Sequence, residues 1–259
     1  MTEITIREAR VHYIEGERFD RSRPTLLFIH GAGQSVATWK FQLELFKNHP
    51  HFNFIALDLP GRGGSEGEGF RSVVEYKDFL SEFIDSLKLE NIILIGHSMG
   101  GGIAMLLAIE QPEIFNACVL AATGAKLSVA QQTLDTVKNY YEAFCEISPQ
   151  RMFAEDSPQE LKQEFKQGLL DIGQEVCYWD LVACNEFNIM DEVEKINVPT
   201  LIVSADKDML TPVKYGEFLH QKIYGSEFYE IKGSGHFIMQ EKHREFNKIL
   251  EDFLNNFVE

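Results

Sequence analysis

The most constraining feature of this 259-residue sequence is the alternation of short, continuous apolar runs with longer amphipathic segments. The run TLLFI is apolar after its threonine, which is typical of a strand buried on both faces of a sheet. Such runs occur at 25–29, 52–57, 92–95, 117–121, 200–204 and 228–231, after an opening pair at 4–8 and 11–15. Apolar residues at helical spacing lie between them, most clearly at 74–87 and at the C-terminal end. The alternation predicts an α/β fold with a mostly parallel, eight-stranded sheet flanked by helices.

The segment from 126 to 198 departs from this alternation. It contains no clear strand, but several amphipathic stretches rich in glutamine, glutamate and aromatic residues. Roughly 70 residues are too many for a loop in a compact domain. We therefore predict a core domain formed by 1–125 and 199–259, with a helical cap inserted at 126–198. The alternative is a set of extra helices packed on one face of the sheet.

The charge of the chain limits its partners. Its 24 Lys and Arg against 40 Asp and Glu give a net charge of −16. Such an acidic surface repels phosphate backbones and anionic lipid headgroups, so we expect neither a nucleic-acid nor a membrane partner. The N-terminus lacks the apolar region of a secretory signal, and the four cysteines show no metal-site spacing. We expect a cytoplasmic protein with reduced thiols and no bound metal.

A candidate nucleophile follows the apolar run that ends at Ile95. The sequence there is GHSMG, which centres the motif G-x-S-x-G on Ser98 and leads directly into an apolar, helix-like segment. A serine on such a sharp turn needs a strained backbone, and flanking glycines remove Cβ atoms that would collide. The N-terminus of the following helix directs its free N–H groups toward a developing oxyanion. Because this short motif also arises by chance, the assignment of Ser98 as a nucleophile also requires a candidate base and a candidate acid.

A serine hydroxyl needs a base, and His236 is the strongest candidate among eight histidines. It lies in the Gly-rich turn GSGHF between the last apolar run and the last helix. A loop at that point can place an imidazole over the carboxyl edge of the sheet, where active sites of open α/β sheets lie. His97 adjoins Ser98, but successive side chains point apart, so we expect it to be a packed or hydrogen-bonded neighbour.

The acid that orients the base is expected in the loop after the run at 200–204. Asp206 and Asp208 both lie there. Asp206 directly follows the strand, where carboxylates often serve the turn itself. Asp208 lies deeper in the loop, ahead of Pro212, which is typical of a helix start. We favour Asp208 over Asp206.

The loop after the first buried run can supply the oxyanion hole. It reads HGAGQ, and its small residues allow a backbone N–H to approach a substrate carbonyl closely. The N–H groups of Ala32 and Met99 are the predicted pair. Gly31, His97 and Phe237 are the predicted substrate-binding residues around them.

These motifs together resemble those of the α/β-hydrolase superfamily, over most of the chain outside the insertion. The resemblance rests on HGAG at 30–33, DLPGRGGS at 58–65, GHSMG at 96–100 and GH at 235–236, in the family's order serine, acid, histidine. In the family, the proline–glycine turn is architectural. The family's acid loop commonly reads G-x-x-D, which selects Asp208, although Ala205 stands here in place of the glycine.

The resemblance also implies a chemistry. Ser98 at the elbow disfavours the epoxide hydrolases and haloalkane dehalogenases, which carry aspartate there, and favours a capped, carboxylesterase- or lipase-like serine hydrolase. We expect hydrolysis of small-molecule esters of small to medium chain length, without a cofactor. C–C bond or thioester hydrolysis with the same triad is the alternative, and a non-turnover ligand receptor is a third. Side chains of the cap that could line an acyl pocket are Phe144, Met152, Phe153, Phe165, Tyr178, Trp179 and Phe187.

Overall fold

The computed structural model describes residues 2–258, which form one eight-stranded sheet. In chain order the strands are β1 Thr2–Ile6, β2 Ala9–Glu15, β3 Thr25–Ile29, β4 Asn53–Leu57, β5 Ile92–His97, β6 Phe115–Ala121, β7 Thr200–Ala205 and β8 Glu227–Ile231. Their order across the sheet is β1-β2-β4-β3-β5-β6-β7-β8. The two pairings of β2 are antiparallel, and all others are parallel. The predicted fold class is confirmed.

The central strands are buried on both sides, as their continuous apolar runs predicted. Every residue of β3, β4 and β5 is buried. Alternate residues contribute to two different cores: Leu27 and Ile29 pack in one, whereas Leu26 and Phe28 pack in the other. The period of two along a strand therefore divides one apolar run between the two helical layers.

The helices cover both faces of this sheet and extend beyond it. Their bounds are α1 Lys40–Phe46, α2 Val73–Leu87, α3 Met99–Glu110, α4 Gln131–Asn139, α5 Tyr141–Met152, α6 Gln159–Ile172, α7 Gln174–Glu186, α8 Val213–Lys222, α9 Ile238–Glu241 and α10 His243–Leu254. The predicted helix at 74–87 corresponds to α2, whose first turn is capped by Ser72 through its bond from the N–H of Glu75.

The opening hairpin differs from the sequence prediction by two residues. The strands predicted at 4–8 and 11–15 lie at Thr2–Ile6 and Ala9–Glu15. Arg7 and Glu8 adopt left-handed φ angles of 50° and 64°, so they form the turn instead of extending the first strand. Two successive residues with positive φ are typical of a tight hairpin turn, which pairs Ile6 with Ala9.

The segment between β6 and β7 is helical, and it forms α4, α5, α6 and α7. These helices have a small apolar cluster of their own, formed by Val137, Phe144, Cys145, Leu169 and Cys177. A single bridge between Lys126 and Asn188 joins the two ends of the segment. That 126–198 acts as a cap over a core of 1–125 and 199–259 stays a prediction.

Candidate active site

The strand order brings the candidate residues to one edge of the sheet. Ser98 follows β5, the HGAGQ loop follows β3, Asp208 follows β7 and His236 follows β8. These four strands run parallel in the sheet. Their carboxyl ends therefore meet at the same edge, which is where open α/β sheets place their ligand sites.

The backbone of Ser98 is strained, and its neighbours show how the strain is accommodated. Its φ of 53° and ψ of −117° lie outside the regions that non-glycine residues ordinarily adopt. A Cβ on Gly96 would lie 2.3 Å from the carbonyl oxygen of Gly100, and one on Gly100 would lie 2.2 Å from that of Ile29. Only glycine fits at either position, as the motif predicted. Ser98 remains partly accessible while Met99 is buried.

Asp208 and His236 form a buried pair. Nδ1 of His236 lies 2.8 Å from Oδ2 of Asp208. Asp208 also accepts hydrogen bonds from the backbone N–H groups of Leu210 and Thr211, and from the Thr211 hydroxyl. Burial opposes the ionised form of Asp208, but the charge and hydrogen bond of His236 and the bonds from Thr211 outweigh it and lower the pKa of Asp208 to about 2.

Asp206, the alternative acid, serves the turn. One of its carboxylate oxygens accepts a bond of 2.7 Å from the N–H of Gly233, and it pairs loosely with Lys207. It thus joins the loops that follow β7 and β8 without contacting His236. Thr211 is the supporting residue that the sequence analysis missed. Its spacing from Asp208 matches a local side-chain turn, which could have revealed it.

The HGAGQ loop lies against the elbow. A Cβ on Gly31 would lie 3.0 Å from Cβ of Ser98, so the absent side chain permits this close approach. Gln34 anchors the loop, since its Oε1 accepts bonds from the N–H of Gly31 and the hydroxyl of Thr38. Ala32 is half-buried.

A cavity of about 230 Å³ lies beside these groups, and Ser98, His236 and Ala32 line it. Its other walls come from Gln34, residues 127–130, helices α4, α5, α6 and α7 and residues 209–211, and most of the lining side chains are apolar. Of the proposed acyl-pocket residues, Phe144, Met152 and Phe165 line the cavity. Phe153, Tyr178, Trp179 and Phe187 pack elsewhere; Trp179, for example, lies under the guanidinium of Arg71.

Gly31, His97 and Phe237 are not among the residues that line the cavity, and their predicted contact with substrate stays a prediction. His97 is fully buried, with Nδ1 3.0 Å from Oε1 of Gln34 and Nε2 2.9 Å from the carbonyl oxygen of His236. Phe237 stacks on Phe153, with 4.8 Å between ring centroids. The buried side chains of His97 and Phe237 thus pack against other residues of the protein.

A fully buried ion pair connects helix α7 to the HGAGQ loop. Arg62 Nη1 lies 2.5 Å and Nη2 2.9 Å from the two carboxylate oxygens of Asp180. Asp180 also accepts bonds from the hydroxyl of Tyr76, at 2.5 Å, and from the N–H of Gly33, at 2.8 Å. Burial opposes the charge on Arg62, but the nearby carboxylate outweighs it and raises the pKa of Arg62. The carboxylate of Asp180, on α7, thus holds the backbone of Gly33, the residue after Ala32.

Within residues 2–258, no helix is both long enough and apolar enough to cross a membrane. The same part of the chain contains no group of three or more His, Cys, Asp or Glu side chains arranged to hold a metal ion.

Comparison with known proteins agrees with this geometry. A family model described as alpha/beta hydrolase fold matches residues 24–242, and the chain belongs to that family. A thermophilic esterase of known structure is 32% identical, with a TM-score of 0.86 over 99% of this chain and 97% of that one. The 3-oxoadipate enol-lactonase 2 of Acinetobacter baylyi is 26% identical over 98% of this chain and 96% of its own. The protein is thus a hydrolase of the α/β-hydrolase superfamily.

A further structural match shows the fold alone. The enol-lactonase from Burkholderia xenovorans LB400 superimposes with a TM-score of 0.91, covering 98% of this chain and all of that one, at 21% identity. The predicted membership of the superfamily is confirmed.

The buried pair predicts a pH-dependent stability. Because the pKa of Asp208 is lowered from 3.8 to about 2 on folding, its ionised form stabilises the protein above pH 3.8, and this contribution is lost as the pH falls through 2. The free energy of unfolding of the native chain minus that of Asp208→Asn should shrink by about 1 kcal/mol between pH 6 and pH 3. Urea unfolding at both pH values measures it, and a constant difference would contradict it.

Breaking the Arg62–Asp180 pair by substitution of Asp180 is expected to cause a large loss of stability. Asp180→Asn leaves the Arg62 guanidinium buried without a counter-ion, so the free energy of unfolding should fall by about 3–5 kcal/mol. The exposed Glu175 of the same helix provides the matched control, because Glu175→Gln should change stability by less than about 0.5 kcal/mol. Equal effects of the two substitutions in urea unfolding would refute a stabilising role for the pair.

Proposed function

We propose that the protein hydrolyses carboxylic esters through an acyl-enzyme, with Ser98 as nucleophile, His236 as base and Asp208 as the acid that orients it. One observation carries the proposal. Ser98 stands on a strained turn and lines the same apolar cavity as His236, whose Nδ1 lies 2.8 Å from the Asp208 carboxylate. A strained serine and a base in one cavity, with an orienting acid bonded to that base, form the constellation of serine hydrolases.

The proposed reaction begins with proton transfer. Nε2 of His236 takes the proton of the Ser98 hydroxyl, while Nδ1–H donates to Asp208. The ionised Asp208 fixes this tautomer and stabilises the imidazolium that forms. Because the pKa of Asp208 is lowered to about 2, the carboxylate stays charged over the whole range in which an esterase works.

Attack of the serine oxygen on the ester carbonyl then gives a tetrahedral oxyanion. The N–H groups of Ala32 and Met99 are the proposed donors to it, the first from the HGAGQ loop and the second from the first residue of α3. The positive end of the α3 dipole adds to this stabilisation. The C–O bond breaks, His236 protonates the leaving alcohol, and a water molecule activated by His236 releases the acid from Ser98.

The cavity supports small to medium substrates. Its volume of about 230 Å³ holds a short acyl chain, and Phe144, Met152 and Phe165 offer that chain an apolar wall. Two of the similar proteins are an esterase and an enol-lactonase, and both names denote cleavage of an ester linkage, which is cyclic in a lactone. They favour this bond over a thioester or a C–C bond.

Removing the nucleophile tests the proposal. Native protein should hydrolyse p-nitrophenyl acetate to hexanoate with a burst of about one p-nitrophenol per chain, and Ser98→Ala should lower kcat by at least ~10³-fold. Ser81→Ala is the matched control, because Ser81 lies in α2 and bonds with Gln111. The control should keep native turnover. Unchanged turnover in Ser98→Ala would overturn the proposal.

Covalent labelling tests the same assignment without a substrate. A fluorophosphonate should phosphonylate the native chain once, and peptide mapping should find the adduct on Ser98. His236→Gln should label far more slowly, because the hydroxyl then has no base. An adduct on another serine would reject Ser98 as nucleophile. Preference for emulsified long-chain triglycerides would reject the proposed substrate size.

A further inference from the structure

We propose that Arg151 binds a carboxylate carried by the substrate, so that the preferred esters are half-esters of short dicarboxylic acids. This inference rests on the proposed function and names the substrate class within it. It starts from the charges in the cavity. Among the lining residues within 2–258, Arg151 is the one with a permanent charge, and the others are apolar or neutral apart from the titratable His236.

Arg151 has no partner within the described part of the chain. No carboxylate forms an ion pair with it, and its guanidinium donates no hydrogen bond to a protein carbonyl of residues 2–258. It therefore does not serve as a cap for the carbonyls at the end of α5. An unpaired guanidinium at the mouth of an apolar cavity is free to form a bidentate pair with a carboxylate that a ligand supplies.

The face of α5 that contains Arg151 is turned toward the cavity. Phe144, Ile147, Ser148, Arg151 and Met152 all line it, and their spacing is that of one side of a helix. Arg151 is exposed and also lines the cavity, so it lies at the rim where solvent enters. An anionic substrate would meet it on the way in.

The end of α5 is fixed against the loop of the proposed base. The carbonyl oxygen of Met152 accepts a bond of 2.7 Å from the N–H of His236, and a Cβ on Gly235 would lie 2.7 Å from the same oxygen. Glu241 accepts bonds from the N–H groups of Ala154 and Gly235 and so ties the two segments a second time. Arg151 immediately precedes Met152, so its Cα lies about 3.8 Å from the Cα of a residue that contacts His236.

This placement sets the length of the preferred acid. The helix end that bears Arg151 is bonded to the His236 loop, and we therefore assign the bound carboxylate to the far end of a short acyl chain. The cavity volume of about 230 Å³ imposes the same limit. The net charge of −16 gives the surface as a whole no attraction for anions, and Arg151 is the permanently charged cation of the cavity lining.

Two esters of equal length test the inference. Mono-p-nitrophenyl adipate and p-nitrophenyl hexanoate both have six acyl carbons and differ in the terminal carboxylate. Arg151→Gln should lower kcat/KM for the adipate half-ester about 3- to 5-fold, mainly through KM, because a charge pair at an exposed guanidinium contributes no more than that to binding. For the hexanoate, kcat/KM should change less than twofold. Arg151→Lys should restore part of the loss.

Arg244→Gln is the matched control, because Arg244 is an exposed cation on α10 outside the cavity lining. It should leave both substrates unaffected. Equal losses on both esters in Arg151→Gln, or no loss on either, would overturn the inference. Turnover of hexanoate by the native chain tests the proposed function separately.

A measurement without turnover completes the test. Free adipate, the expected product, should raise the Tm of the native chain and of Ser98→Ala, but not that of Arg151→Gln. Hexanoate should show no such difference between native and Arg151→Gln. An equal Tm shift by adipate in native chain and Arg151→Gln would reject the carboxylate site even if neither ester were hydrolysed.

Discussion

The buried pair of Arg62 and Asp180 is the interaction on which the arrangement of the site depends. Two charges removed from water are tolerated only when their remaining hydrogen-bonding groups are satisfied. Here Asp180 accepts from Tyr76 and from the N–H of Gly33, while Arg62 also donates to the carbonyl of Pro60. One carboxylate of α7 therefore joins that helix to α2 and to the loop next to the proposed nucleophile.

The parallel sheet determines which residues can meet. Loops after β3, β5, β7 and β8 lie along one edge, and each contributes a single element of the site. The elbow after β5 stores backbone strain, and close packing around Gly96 and Gly100 maintains it. His97 then connects the elbow with the HGAGQ loop and the histidine loop, since its ring contacts Gln34 and the His236 carbonyl. Reactive groups from distant parts of the sequence are held by shared buried partners.

The sequence predicted what depends on local patterns. The run at 25–29 coincides with β3 because an uninterrupted apolar segment has no alternative to double burial. The strand predicted at 4–8 was misplaced because the spacing of apolar residues along the sequence does not reveal the left-handed turn at Arg7 and Glu8. Proximity in sequence does not give side-chain direction, so the assignment of His97 and Phe237 to the substrate stays a prediction. Asp180 could not be found, since its partner lies 118 positions away.

The anchoring of α7 by Asp180 affects which parts of the protein can change in sequence independently of one another. Helices α5 and α6 supply cavity-lining side chains such as Ile147 and Phe165, and none of these belongs to the buried charge network. New substrate preferences can therefore evolve by exchange of single residues there, one at a time. The helix with Asp180 is different, because it can be replaced only together with Arg62 and Tyr76. Chimaeras that divide this trio between parents should be less stable than those that keep it intact.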